Sequence, residues 1–442
     1  MRVLLLQAIS TPDSGEMVYP LGLARLGAAL APAHELWGLD LNLHPFPWPR
    51  VLAVLEEFQP QVVAISFRNL DPLAGILTSF VPPLQTLAGL VRAAAPEARI
   101  LLGGAGFSLF AARIMAEVPQ VDLGVVGEAE EVLPQLLACL ERPQAVPGVL
   151  WRDNGGLAGG LRRHCQGLGE LPLPAWDLFP PGDYLARNRY VACLGVETKR
   201  GCPHGCRYCL YPTLQGGRVR LRPPTAVVDE IAALVTRYGV ELIHFTDPVL
   251  NQPAGHLNAI CRELLARGLK LGWTGFFRED ALDPADLALW ARAGLNTLYF
   301  SGDGASDPAL SLLNKGLSLA DLTRAAELAA GSGLIAVYHF LANLPGENQA
   351  TADQARELLA RLLATHARAG NPAAVVINNL RLYPGAPLTQ EIMERGLIPR
   401  DTDLLYPVYF NPPPFDGLRH ELTALATSPG ALNLVPGPLE RP

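Results

Sequence analysis

The chain has 442 residues, enough for two or three domains that each bury a core. Hydrophobic residues make up 49% and charged residues only 17%, which argues against a disordered polypeptide. A formal net charge of −7 argues against a generic nucleic-acid binder, and no apolar run reaches the roughly 18 residues of a membrane span.

The opening "MRVLLLQAIS" is too short in its apolar run and too weakly basic for a signal peptide. It reads instead as a first strand, 2–7. Further strands follow at 34–41, 61–67, 98–104 and 122–127, with helices near 20–30, 50–58, 82–95, 108–117 and 129–140. This alternation predicts a doubly wound, Rossmann-like parallel sheet over 1–140, with ligands at the strand C-terminal ends. Residues 141–190 read as a linker carrying a small hairpin, its turn at Asn154-Gly155. From 191 to 396 the alternation resumes, with strands at 191–198, 241–247, 272–277, 296–302, 334–342 and 374–382. Helices are expected at 225–238, 254–267, 284–293, 318–331, 350–368 and 387–396. Six strand–helix units predict a partial (β/α)6 barrel whose site lies on the strand C-terminal rim. Residues 397–442 form a C-terminal cap or tail.

The first barrel strand runs into "RGCPHGCRYC", which places Cys202, Cys206 and Cys209 on a catalytic loop. The chain's seven cysteines show no disulfide-like rhythm and point to a reducing, cytoplasmic setting. A structural zinc knot would need a fourth ligand, and only His204 and Cys193 are at hand. His204 lies too close between two of the cysteines, and Cys193 suits a buried strand position.

The Cys-x3-Cys-x2-Cys spacing resembles the radical S-adenosylmethionine (SAM) superfamily. That resemblance implies a 4Fe–4S cluster on Cys202, Cys206 and Cys209, with one iron left open for the amino and carboxylate groups of SAM. It implies Tyr208 against the adenine. It also implies SAM contacts from Thr246 and Asp247 in "FTDPVLNQP" and from Ser301 and Asp303 in "FSGDGAS". Gly346 in "FLANLPGEN" and the glycine of "RLYPGAP" would let backbone approach the adenine. Arg278 is expected either to pair with a ligand carboxylate or to form a surface ion pair with Glu279 or Asp280. Arg218, Arg220 and Arg222 alternate along an extended segment and read as a solvated edge, with binding of an acidic substrate as the alternative.

"GGAGFS" (103–108) is not a dinucleotide fingerprint, since Leu109 holds the third glycine position and the motif follows the fourth strand. Together with "VYPLGLARLGAAL", "VVAISFRNLD" and "VVGEAEEVLPQLL" it resembles the cobalamin-binding domain that precedes many radical SAM barrels. Carried over by position, the cobalamin contacts are Ser66, Gly103, Gly104, Ser108, Gly127 and Glu128. The Asp-x-His-x-x-Gly signature that brings a histidine to cobalt is missing. "DLNLH", with Asp40 and His44, has the wrong spacing, so cobalamin is expected without a histidine ligand.

The combined resemblance implies a cobalamin-dependent radical SAM enzyme, foremost a C-methyltransferase acting on an unactivated carbon of a small molecule. SAM, the 4Fe–4S cluster and cobalamin are its cofactors, and a flavodoxin- or ferredoxin-type protein is its electron donor. A cyclase or ring-rearranging enzyme has the same architecture. A non-catalytic cobalamin or iron–sulfur sensor is the rival from another class. A methylthiotransferase is disfavoured, because residues 1–138 contain no cysteine for a second cluster.

Overall fold

The computed structural model describes residues 1–10, 17–72, 76–187 and 191–427. The chain divides into two compact units, Met1–Arg189 and Tyr190–Pro442, apart from Leu214–Gly216 and Leu405–Pro407, which group with the first. Among the described residues no helix is long and apolar enough to cross a membrane.

The first unit is built on β1 (Arg2–Gln7), β2 (Glu35–Asp40), β3 (Val62–Ser66), β4 (Arg99–Gly103), β5 (Leu123–Val125), β6 (Val149–Asp153) and β7 (Gly156–Gly159). Their order is β2-β1-β3-β4-β5-β6-β7, parallel through β5. Val3–Leu6 are wholly buried, as expected for a central strand covered on both faces. The order reverses between β1 and β3, which makes the strand ends there the natural ligand crevice.

The expected hairpin is present, but it is no detached linker. β6 and β7 are antiparallel, and β6 pairs with β5, so the hairpin extends the sheet. Asn154 (φ 46°) and Gly155 (φ 82°) both take left-handed conformations, as a two-residue type I′ turn requires.

The second unit contains β8 (Gly195–Val196), β9 (Lys199–Arg200), β10 (Arg220–Leu221), β11 (Leu242–Phe245), β12 (Gly272–Phe277), β13 (Leu295–Asp303), β14 (Ile335–Ala342), β15 (Ala373–Arg381) and β16 (Tyr409–Phe410). The main sheet runs β16-β15-β14-β13-β12-β11-β8, with six parallel strands and β16 antiparallel at the edge. All six expected helices form, over Pro224–Tyr238, Ala254–Ala266, Pro284–Arg292, Leu319–Ser332, Gln349–Ala369 and Pro387–Glu394. Local chemistry sets their ends. Ser318 with Asp321, and Asn348 with Thr351, form capping boxes at two N-termini. Gly239, Gly333 and Gly370 close three C-termini in the left-handed conformation.

Two differences from the sequence reading matter. The first barrel strand is cut to two residues, because the chain leaves the sheet after Val196 and pairs Lys199–Arg200 with Arg220–Leu221. The C-terminal segment is partly ordered into the fold: β16 joins β15, and the helix Leu418–Ala426 packs on β15 and on Gln349–Ala369. The rest of that segment, 428–442, lies outside the described residues.

Candidate functional site

The cysteine loop is pinned along its length. Gly201 enters it at φ 92°. Asn314 Nδ2 donates to the Gly205 carbonyl at 2.8 Å, and His204 Nε2 faces Gln252 Oε1 at 2.6 Å. The Arg207 amide donates to the Leu313 carbonyl, its carbonyl accepts from the Leu388 amide, and its guanidinium pairs with Glu391 at 2.5 Å. The Cys209 amide donates to the Cys206 carbonyl at 3.2 Å.

Cys202 is buried, Cys206 and Cys209 are half-buried, and all three are free thiols. Burial pushes the Cys209 thiol up to about 11 and raises that of Cys206, where the Lys315 ammonium acts in the opposite sense. Iron binding must therefore displace protons from these thiols. Among the described residues no three His, Cys, Asp or Glu side chains converge on one metal-sized point. A 4Fe–4S cluster takes one thiolate per iron, and three free cysteines on one pinned loop can supply three of them.

The loop is anchored from below by Asp247. Its carboxylate accepts from the Thr198 amide at 2.8 Å and from the Thr198 hydroxyl, and it pairs with Lys199 Nζ at 3.2 Å. Both oxygens of Asp247 are thus engaged within the protein, while Thr246 beside it is half-buried.

At the end of β13 the pairing with β14 shifts register between Phe300 and Asp303. This bulge re-aims the strand end. Ser301 is half-buried there, and Asp303 adopts φ 60°. Asp303 Oδ2 accepts from the Tyr208 hydroxyl and from Lys315 Nζ, the latter at 3.0 Å. Tyr208 and Asp303, expected near each other only through a shared ligand, therefore touch directly. Gly346 turns at φ 92° after β14 with nothing within 4 Å of a Cβ added there. The backbone is thus open to close approach.

Arg278 does pair with Asp280, at 2.8 Å, but not on the surface. It is buried, and Nη2 donates to the Lys315 and Gly316 carbonyls at 2.6 and 3.2 Å. Beside it Glu279 is fully buried with Oε1 unpartnered, and burial raises its carboxyl to about 7. Arg222 likewise departs from the solvated edge expected of it. It is only 2% exposed and pairs at 2.7 Å with Glu230, which is wholly buried, whereas Arg218 is exposed.

Sequence reasoning missed Lys315 and the barrel interior, and it placed Glu279 on the surface, where the structure buries it. Phe276, Tyr299, Val337 and Ala374 lie in one register across four strands. The rings of Phe276, Tyr299 and His339 stand 5.4–6.2 Å apart, with Phe276 and His339 half-buried. His339 Nδ1 lies 2.7 Å from the Phe300 carbonyl, which fixes Nδ1 as the protonated nitrogen. The strand alternation of aromatic and β-branched residues was the available signal, but it does not say which face is lined.

In the first unit, Ser66 and Gly103 are paired at the C-terminal ends of β3 and β4. A Cβ at Gly104 (φ 102°) would lie 2.7 Å from the Phe67 carbonyl oxygen, so only glycine fits. At Gly103 the same atom meets nothing closer than 3.6 Å. Ser108 is buried, and its Oγ accepts from the Gly127 amide at 2.9 Å. Glu128 accepts from the Cys165 amide at 2.8 Å. Small residues thus leave room at Ser66–Gly103, as a ligand entering the sheet edge needs, while Ser108 and Glu128 brace the neighbouring loop. His44 is half-buried just after the turn Leu41–Leu43, and burial lowers its pKa.

Comparison with known proteins gives two family models, the B12 binding domain over residues 13–137 and the radical SAM superfamily over 196–359. An uncharacterized methyltransferase of Pyrococcus horikoshii is 25% identical over 334 residues, covering 75% of this chain and 70% of its own. A tryptophan 2-C-methyltransferase of Streptomyces laurentii is 24% identical, covering 86% and 72%. An anaerobic magnesium-protoporphyrin IX monomethyl ester cyclase of Synechocystis is 27% identical over 72% of this chain, which spans 64% of the cyclase. Among solved structures, the radical SAM methyltransferase TsrM of Kitasatospora setae superposes with a TM-score of 0.72 at 22% identity, covering 89% of this chain and 76% of its own. The cobalamin-dependent radical enzyme OxsB gives 0.75 at 17% identity, covering 92% and 64%. With a B12-binding sheet and a three-cysteine barrel loop in one polypeptide, the chain belongs to the cobalamin-dependent radical SAM enzymes.

Proposed function

We propose that this protein is a cobalamin-dependent radical SAM C-methyltransferase acting on an unactivated carbon of a small molecule. It works in a reducing cytoplasm with an external flavodoxin- or ferredoxin-type electron donor. The observation that carries this reading is the coexistence of the pinned three-thiol loop with the small-residue edge of the B12-binding sheet. When bound, the cluster with SAM supplies hydrogen-atom abstraction and cobalamin supplies the methyl group.

The chain's own residues divide the work. Cys202, Cys206 and Cys209 would hold the cluster through their three thiolates. Thr246, after β11, and Ser301, at the end of β13, offer hydroxyls on either side of β12. Tyr208 presents its ring to the adenine, its hydroxyl already oriented by Asp303. Gly346 admits the adenine edge to the backbone. Asp247 acts one step back, holding the strand that leads to the cysteines. Ser66, Gly103 and Gly104 admit the cobalamin tail, and Ser108, Gly127 and Glu128 shape the loop beside it. The ring cluster Phe276–Tyr299–His339 favours a flat, largely apolar substrate, and tryptophan is the first compound to test.

Anaerobically reconstituted protein with SAM, hydroxocobalamin and a low-potential reductant should form 5′-deoxyadenosine and S-adenosylhomocysteine in equal amounts once a substrate is present. Three cyclase relatives make ring closure the second reading. It would give 5′-deoxyadenosine without S-adenosylhomocysteine. Neither product, from protein that holds both cofactors, would indicate a sensor. Replacing Cys202, Cys206 and Cys209 together by alanine should abolish the cluster absorbance. A brown, iron-rich triple variant would overturn the cluster assignment.

A further inference from the structure

Lys315 sits in the short turn between the helices Asp307–Leu312 and Leu319–Ser332, in "LLNKGLS". Several contacts fix it there. Its amide donates to the Leu310 carbonyl at 3.1 Å, and its carbonyl accepts from Arg278 at 2.6 Å. Its Nζ donates to Asp303 at 3.0 Å, reaches the Tyr208 hydroxyl at 3.4 Å, and lies 5.9 Å from the centre of the Tyr208 ring. The side chain is only 7% exposed. Desolvating an ammonium is costly, and one carboxylate partner returns little net stability, so the fold alone gives weak reason to bury it here. What distinguishes the place is its neighbour. Tyr208 lies between Cys206 and Cys209 in the chain, so the contact with its hydroxyl brings the ammonium to the cysteine loop itself.

We propose that Lys315 is a positioning residue that sets the electrostatic field at the cysteine loop, favouring the reduced state of the cluster held by Cys202, Cys206 and Cys209. The inference rests on the cluster reading above. One-electron reduction by an external low-potential donor adds one negative charge at the three-thiolate site, with no proton taken up. A buried, fixed positive charge against the tyrosine that separates two of the cysteines stabilises that added charge, because the low local dielectric screens it weakly. The Asp303 bond holds the ammonium there, and the Tyr208 hydroxyl joins it to the loop.

The test needs neither substrate nor turnover. Full-length protein is reconstituted with iron and sulfide, and its cluster is titrated against a dithionite-poised potential, read by electron paramagnetic resonance without SAM. At the wild-type midpoint, Lys315→Met should lower the ratio of reduced to oxidised cluster about tenfold, equivalent to about 59 mV for one electron. Lys315→Arg, which keeps the charge, should restore most of it. Asp303→Asn, which removes the opposing charge, should shift the ratio the other way. It also provides the reading if Lys315→Met fails to retain a cluster. Unchanged ratios in Lys315→Met and Asp303→Asn, at full cluster occupancy, would overturn the inference and leave the cluster assignment standing. Wild-type protein that takes up no cluster would overturn both.

Discussion

Asp247, just past the end of β11, accepts a 2.8 Å hydrogen bond from the amide of Thr198, four residues before Cys202. The same carboxylate pairs with the buried Lys199 ammonium at 3.2 Å, so one side chain ties the second barrel strand to the root of the cysteine loop. Asp247→Ala should destabilise the protein by about 3–5 kcal/mol, since it strands a buried lysine charge. Iron content after reconstitution should fall with it. Asp247→Asn keeps the shape but not the charge, and a milder loss is expected. Urea denaturation and iron assays on the two variants read both effects.

Gly103 is the place to block cobalamin. A Cβ there makes only ordinary contacts, the nearest at 3.6 Å, and its backbone is not left-handed. A larger side chain should therefore fold and project into the strand-end crevice. Gly103→Leu in the full chain should weaken hydroxocobalamin binding at least about tenfold, roughly 1.4 kcal/mol, with an unchanged circular dichroism spectrum. Ser108→Trp would be a poorer probe, because Ser108 is buried and bonded to the Gly127 amide. Unaltered binding by folded Gly103→Leu would place the ligand elsewhere.

Glu279 carries a pH signature. Burial raises its carboxyl from the ordinary 4.5 to about 7. Below pH 4.5 both folded and unfolded states are protonated, and the group has no effect. Between 4.5 and about 7 the unfolded state releases the proton first, so stability falls as pH rises, and above about 7 the loss is complete. The upper bound is about 3 kcal/mol. Glu279→Gln should remove this component and be more stable than the parent at pH 8.5. Urea midpoints of both apoproteins at pH 5 and 8.5 check it. Parallel pH profiles would show that Glu279 is not the group responsible.

Arg222 and Glu230 form a buried pair at 2.7 Å. Glu230→Leu alone should destabilise by about 3–5 kcal/mol, by leaving an uncompensated guanidinium in the interior. The double change Arg222→Met with Glu230→Leu should recover most of that loss. A double variant no better than the single one would mean the two side chains act independently.

The sequence by itself determined whatever depends on neighbours along the chain. The spacing of Cys202, Cys206 and Cys209 specified a three-thiol loop after the first barrel strand. Strand–helix alternation specified both parallel sheets and their helices, and Asn154-Gly155 specified a turn that only left-handed backbone can make. Only the tertiary structure decided what depends on residues far apart in number. It cut the first barrel strand to Gly195–Val196, because Asp247, about 50 positions on, holds Thr198 out of the sheet. It attached the hairpin Val149–Gly159 to the edge of the first sheet, a choice of partner that no local turn signal contains. Arg222 was buried by Glu230, nearly two turns into the following helix, where alternation along an extended segment suggested solvent. Lys315 carries no motif at all. Its place against Tyr208 on the cysteine loop joins positions 107 apart in the chain, and the charge it brings there is a product of folding.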